Sequence, residues 1–131
     1  MDCLAKEATN TRDSYKVNFG DAIFKEDNRV GIGVIIRNCH RMVMASLSQN
    51  IPLPQTVVEL EAIAARRALD LSPELGFTKA ILEGDSQPVM IALQDDSPSH
   101  ASFGLLIRDA HLVANLFTCI SFYILVEMTI L

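Results

Sequence analysis

Three acidic side chains are placed where chemistry could be done. Asp85 ends an apolar run, Ala80-Ile81-Leu82, and is followed by Ser86-Gln87-Pro88 and a further apolar stretch. An acid at the point where a buried strand gives way to a helix sits as in α/β enzymes that hold a cation beside a substrate, because ligands bind outside the carboxyl ends of the strands. The neighbouring Ser86 also makes Asp85 fit an ordinary helix cap. What separates the two readings is whether other acids face the same cleft.

Glu61 is the first such acid. At about 100° per residue, Val57, Leu60, Ala64, Ala65, Ala68 and Leu71 fall into one apolar helical stripe, with Glu59, Arg66 and Asp70 opposite. Glu61 lies inside the stripe. A carboxylate turned toward a core costs several kcal/mol unless it is paired, protonated or bound to a metal, whereas Glu59 is an ordinary solvated charge. An arginine partner or a place at the stripe's edge would also account for Glu61. Asp21, just past Phe19, is the candidate third acid. Carboxylates from a first strand, a crossover helix and the end of the next strand could hold two Mg²⁺ or Mn²⁺ ions about 4 Å apart, activating water and stabilising the leaving oxygen in phosphodiester cleavage. His40, His100, His111 and the cysteines show no ligand spacing.

The elements that must position these acids are legible from periodicity. Tyr15, Val17 and Phe19 alternate with Lys16 and Asn18, which predicts a half-buried strand to about Ile23. Val30–Arg37 and Met42–Leu47 follow as strands with short connections, an antiparallel meander. Gly31 and Gly33 inside the second strand imply a bulge or a close backbone approach. Thr56 caps a predicted helix from Val57 to Leu71, closed by Ser72-Pro73. Lys79–Glu83 then reads as a strand, Gln87–Leu93 and Phe103–Leu116 as helices, Asp95–Ser102 as a polar loop, and Thr118–Val126 as the last strand. The order is βββαβααβ. A right-handed crossover makes the fourth strand parallel to the first, giving an α/β domain with a mixed five-stranded sheet, strands 1–3 antiparallel and strands 4 and 5 parallel.

Composition sets the bounds. The chain has 131 residues, half of them hydrophobic and 21% charged, as expected of one globular domain over 14–131 behind an N-terminal tail or linker at 1–13. Cys3, Cys39 and Cys119 are odd in number and widely spaced, which predicts thiols in a reducing, intracellular compartment, and no signal-peptide pattern opens the chain. The apolar run Leu116–Leu131 contains Glu127 and is shorter than the roughly 20 residues that span a bilayer, so no membrane partner is expected. A net charge of −5 disfavours indiscriminate polyanion binding, although acids gathered at a metal site are neutralised by their cations. Gly84-Asp85-Ser86 lacks the late Asp-x-x-His that an esterase reading would need.

Four stretches, Lys16-Val-Asn-Phe19, Gly31-Ile-Gly-Val-Ile-Ile-Arg37, Val58-Glu-Leu-Glu-Ala-Ile-Ala-Ala-Arg-Arg-Ala-Leu69 and Leu75-Gly-Phe-Thr-Lys-Ala-Ile-Leu-Glu-Gly-Asp-Ser86, carry a family likeness. In their order and spacing the chain resembles the ribonuclease H type 1 fold, and in particular plant ribonuclease H-like domains related to reverse-transcriptase elements. The resemblance implies hydrolysis of the RNA strand of RNA–DNA hybrids by a two-metal carboxylate site using Mg²⁺ or Mn²⁺. It places the helix glutamate on Glu61 and the strand-ending aspartate on Asp85. The family's first strand ends Asn-x-Asp-Gly, whereas this one reads Asn18-Phe19-Gly20-Asp21, so Gly20 occupies the family's Asp position. A shift of one residue turns a side chain to the other face of a strand, so Asp21 would reach the site only through a bulge. The family also continues into a helix bearing a final acid, so the domain is expected to be truncated at its C-terminus, with that covering helix absent. A second reading therefore stands beside the enzyme: a catalytically inactive ribonuclease H-like module for nucleic-acid binding or interaction, with Arg29, Arg37, Arg41, Arg66 and Lys79 available for backbone contacts.

Overall fold

The computed structural model describes residues 14–95 and 103–125. The predicted tail at 1–13, residues 96–102 of the predicted loop, and Val126 at the end of the last predicted strand lie outside them.

Strict alternation in the first two strands builds the centre of a sheet. β1 (Tyr15–Phe24) and β2 (Arg29–Arg37) pair antiparallel around a single 3₁₀ turn at Lys25–Asp27. Val17 and Phe19 of β1, and Val30, Ile32, Val34 and Ile36 of β2, all turn to one face and are buried. β3 (Val43–Pro52) pairs antiparallel with β2 and forms an edge; it runs five residues beyond the predicted Leu47. β4 (Lys79–Gly84) lies parallel to β1, and β5 (Cys119–Ile124) parallel to β4. The sheet order is β3-β2-β1-β4-β5, the mixed arrangement that the element order predicts. Among the described residues, no helix is long and apolar enough to cross a membrane.

Helices α1 (Val57–Glu74), α2 (Gln87–Gln94) and α3 (Gly104–Ala114) share one core with the buried face of the sheet. Thr56 caps α1, its hydroxyl accepting from the Glu59 N–H at 3.1 Å. Pro73 does not end this helix. Proline is tolerated there because it is the last residue but one of the helix, which ends at Glu74; just before it, buried Ser72 Oγ donates to the Ala68 carbonyl at 2.9 Å. The closing motif uses Gly76 at φ +86°, with the Gly76 N–H donating to Pro73 O and the Phe77 N–H to Ser72 O.

The buried stripe of α1 is also rotated from the predicted one. Leu60, Ala64, Ala65 and Ala68 are buried, but so are Ala62, Leu69 and Ser72, while Val57 is exposed and Leu71 half-buried. The alanines at the contact let the helix lie close to β1 and β2. The expected distortion at Gly31 and Gly33 does not occur. Pairing between β1 and β2 is unbroken from Lys16 to Phe24, and a Cβ at Gly33 would meet nothing within 4 Å. The irregularity in register falls instead between Ile36 and Arg37, against β3.

Candidate active site

Each of the three acids reaches its place through a different element. Asp21 follows Val17 and Phe19 in period two, so it projects from the helix-bearing face of β1, where it is half-buried. No bulge is needed, because in this register the position facing α1 is 21, and Gly20 faces away. Glu61 stands in the second turn of α1, one residue from buried Leu60 and Ala62, and is itself half-buried. Asp85 is exposed, immediately after the last residue of β4.

Gly84 fixes the end of β4. A Cβ there would lie 2.5 Å from Phe19 Cζ, 2.8 Å from Phe19 Cε1 and 3.0 Å from Met90 Sδ. Only a glycine lets the Phe19 ring lie against the backbone of β4. That contact ties the carboxyl ends of the two parallel strands together between Asp21 and Asp85. On the opposite face, Glu83 receives a hydrogen bond from Asn18 Nδ2 at 3.2 Å and pairs with Lys16 Nζ at 3.3 Å, a second tie between the same strands.

The electrostatics single out Glu61. Its carboxyl is pushed up from an ordinary 4.5 to about 8, chiefly by burial, then by a side-chain hydrogen bond with Asp21, and then by the charges of Asp21 and Asp85. Burial and like charge both disfavour ionisation. At neutral pH Glu61 is therefore protonated and donates to the Asp21 carboxylate. Asp85 acts on it through charge alone, without a hydrogen bond. This difference in range agrees with a second observation: among the described residues, no three His, Cys, Asp or Glu side chains are grouped closely enough to hold an ion. The arrangement is thus a contacting pair, Asp21 and Glu61, with Asp85 at longer range.

The pair fits a hard divalent cation. Its donors are all carboxyl oxygens, and Mg²⁺ is usually held by one or two carboxylates, with water and substrate phosphate filling the other positions. A cation would also favour ionised Glu61 against the burial and repulsion that now keep it protonated. Among the other residues considered, His111 Nε2 lies 3.1 Å from the Leu93 carbonyl, a structural contact between α3 and α2. Neither Cys39, which is exposed, nor Cys119, which is buried, is in a disulfide. His100 and Cys3 lie outside the described residues. Sequence reasoning overlooked the contact between Phe19 and Gly84; its signal was a glycine directly before the acid that ends β4.

Comparison with known proteins places this fold. Residues 19–125 match the protein family described as reverse transcriptase-like. Among solved structures, the chain is similar to RNase H1 from the halophilic archaeon Halobacterium salinarum NRC-1, with a TM-score of 0.75 and 20% identity over 86% of this chain and 85% of that one. It is similar to the N-terminal RNase H domain of Rv2228c from Mycobacterium tuberculosis, with a TM-score of 0.73 and 20% identity over 86% and 81% of the two chains. A third similar structure is LC11-RNase H1, obtained from compost by a metagenomic approach and solved in complex with an RNA/DNA hybrid; the TM-score is 0.67, with 16% identity over 85% and 84%. No curated protein sequence matches this chain.

Proposed function

Because this chain belongs to the reverse transcriptase-like family and has the ribonuclease H fold, we propose that it binds RNA–DNA hybrids and hydrolyses their RNA strand endonucleolytically with Mg²⁺ or Mn²⁺. The observation that carries this reading is the hydrogen-bonded meeting of Asp21 and Glu61, in which burial and the charges of Asp21 and Asp85 hold the Glu61 proton. Asp21 and Glu61 would hold a divalent cation, which when bound would supply Lewis acidity, lowering the pKa of water and offsetting charge on phosphate oxygens. In the apo state Glu61 keeps its proton and is hydrogen-bonded to Asp21. Loss of that proton makes both carboxylates available as ligands. Asp85, exposed directly after β4, acts on Glu61 by its charge alone. The expected setting is intracellular, on the ground that three widely spaced cysteines suit a reducing compartment.

The test is incubation of folded protein with a labelled RNA–DNA hybrid and Mg²⁺ or Mn²⁺. Discrete RNA products that vanish with Glu61→Gln are expected. Absence of product at high enzyme concentration rejects the hydrolase.

One observation favours a second reading. The three acids do not close into a single ligand group, and Gly20 stands where the resemblance puts an aspartate. An inactive module of the same fold would bind hybrid in a salt-sensitive manner without cleaving it.

A further inference from the structure

Away from the carboxylates, the face of the sheet on which no helix packs among the described residues carries a row of cations whose places follow from strand register. Lys16 lies opposite Arg37 across β1 and β2, and opposite Ile81 across β1 and β4. Lys79, two residues before Ile81, shares that face. Beyond Arg37 the chain turns through Asn38–Met42, and Arg41 stands exposed in the turn. Arg41, Arg37, Lys16 and Lys79 thus cross from the hairpin tip over three strands, at the N-terminal ends of β1 and β4. From the spacing of strands and of residues along them, neighbours from Arg37 to Lys79 rise from backbone roughly 5–8 Å apart.

Two features of this row work against folding. Like charges directly opposite one another in an antiparallel pair are destabilising, yet Lys16 and Arg37 are so placed. Lys16 has Glu83 as a partner at 3.3 Å, whereas Arg37, Arg41 and Lys79 have no acidic partner among the described residues. The second feature is Arg41 itself, which adopts φ +64°, a left-handed conformation that Gly or Asn takes at lower cost. Its turn is held without its side chain: Asn38 Oδ1 accepts from the N–H groups of His40 and Met42 at 2.9 and 3.0 Å, and the Arg41 N–H donates to Asn38 O at 3.0 Å. The guanidinium therefore does nothing for the turn, and in a chain of net charge −5 the row is a local reversal of sign.

We propose that Arg41, Arg37, Lys16 and Lys79 form a contact for the phosphate backbone of nucleic acid, separate from the carboxylate site. It depends on the proposed function only for the class of partner. Three of the four cations rise from strands and not from the tip, so the charge forms a line, which suits the phosphates of one strand better than the plane of a lipid surface. The row lies about 17 Å along β1 from Asp21 and on the opposite face, so the acids do not repel a strand held there.

The test measures binding of the full chain to a fluorescent RNA–DNA hybrid by anisotropy, in EDTA, over a series of salt concentrations. Arg37→Gln combined with Arg41→Asn is expected to weaken binding at least fivefold at low salt. It should also reduce the slope of log affinity against log salt by about 2, one for each lost phosphate contact. Arg41→Asn alone is expected to raise the melting temperature while weakening binding, a combination that a structural role for Arg41 would not give. Arg108→Gln, the same charge change on exposed α3, should leave affinity unaltered. Because binding is read in EDTA, where no cation-dependent cleavage proceeds, failure of the hydrolase reading leaves this outcome readable. The proposal is overturned if the double variant binds like the wild type, if Arg108→Gln weakens binding equally, or if the wild type binds no hybrid. Stronger binding to phosphatidylserine vesicles than to hybrid also overturns it, in favour of a membrane surface.

Discussion

Replacing Glu61 by glutamine separates the charge of this residue from its shape. The Glu61 carboxyl is raised from 4.5 to about 8, with burial as the largest cause. Between those two values the folded protein holds a proton that the unfolded chain has released, so stability falls as pH rises through this window. The contribution is fully present below about pH 4.5 and lost above about pH 8. One pKa unit is worth about 1.4 kcal/mol, but Glu61 is half-exposed, and solvent screening reduces the sum to about 2 kcal/mol. The amide of the introduced glutamine would donate its N–H to Asp21 at every pH and lose nothing in this window. Urea denaturation in EDTA, from roughly pH 5 to pH 9, should therefore show the wild type losing about 2 kcal/mol relative to Glu61→Gln, the contributions of other groups cancelling in the difference. Adding Mg²⁺ at roughly ten times its dissociation constant should return about 1.4 kcal/mol to the wild type at alkaline pH and little to the variant. Parallel stability curves for the two proteins across the whole range would show that Glu61 titrates normally, and the argument for a strained acid pair would fail.

Other outcomes follow from the same geometry. Asp21→Asn removes both the hydrogen-bonded partner and one of the two repelling charges, so the Glu61 titration followed by carboxyl NMR should move down toward 4.5, and Mg²⁺ should no longer stabilise the protein. Gly84→Ala forces a methyl group against the Phe19 ring and should cost about 1–3 kcal/mol by denaturant titration, partly recovered in Phe19→Leu/Gly84→Ala; no loss would mean that the ring does not occupy that notch. Gly76→Ala places a side chain at φ +86° and should cost about 1 kcal/mol in the same assay.

Much of the fold is legible in the sequence because its signals are local. Period-two burial in Tyr15–Phe19 and Val30–Arg37, the Thr56 cap, and the alanine-rich face of α1 each specify an element without help from the others. The errors share a cause too. Pro73 reads as a terminator because proline usually breaks helices, but in the last turn it removes little, and Gly76 supplies the left-handed residue at which α1 closes. Val57 belongs to the apolar stripe by angle alone, yet residues at the first position of a helix overhang its packed face. The pair of acids is half legible. Glu61 declares itself by position in the stripe, whereas Asp21 reads as displaced only against the family's Asn-x-Asp-Gly; the alternation that buries Val17 and Phe19 already puts it on their face, and pairing from Lys16 to Phe24 is continuous.

That register bears directly on activity. With continuous pairing from Lys16 to Phe24, position 20 shares the face of Lys16 and Asn18, and position 21 shares the face of Val17 and Phe19. An acid at position 21 is therefore the one that meets Glu61 in this chain, and Gly20 leaves open space where a side chain would point away from α1. The exchange of glycine and acid relative to the family pattern displaces the carboxylate along the strand without removing it from Glu61. What it changes is the relation to Asp85, which senses Glu61 by charge but shares no hydrogen bond with it. A contacting pair suffices to bind one cation whose remaining positions are filled by water and phosphate. A second ion would need Asp85 to swing inward. Since Asp85 is exposed and follows the last residue of β4, packing does not oppose that movement; substrate phosphate and cation together supply the charge that would draw it in. The proposed hydrolysis thus turns on whether a hybrid, once bound, completes a site that the free protein holds as a pair.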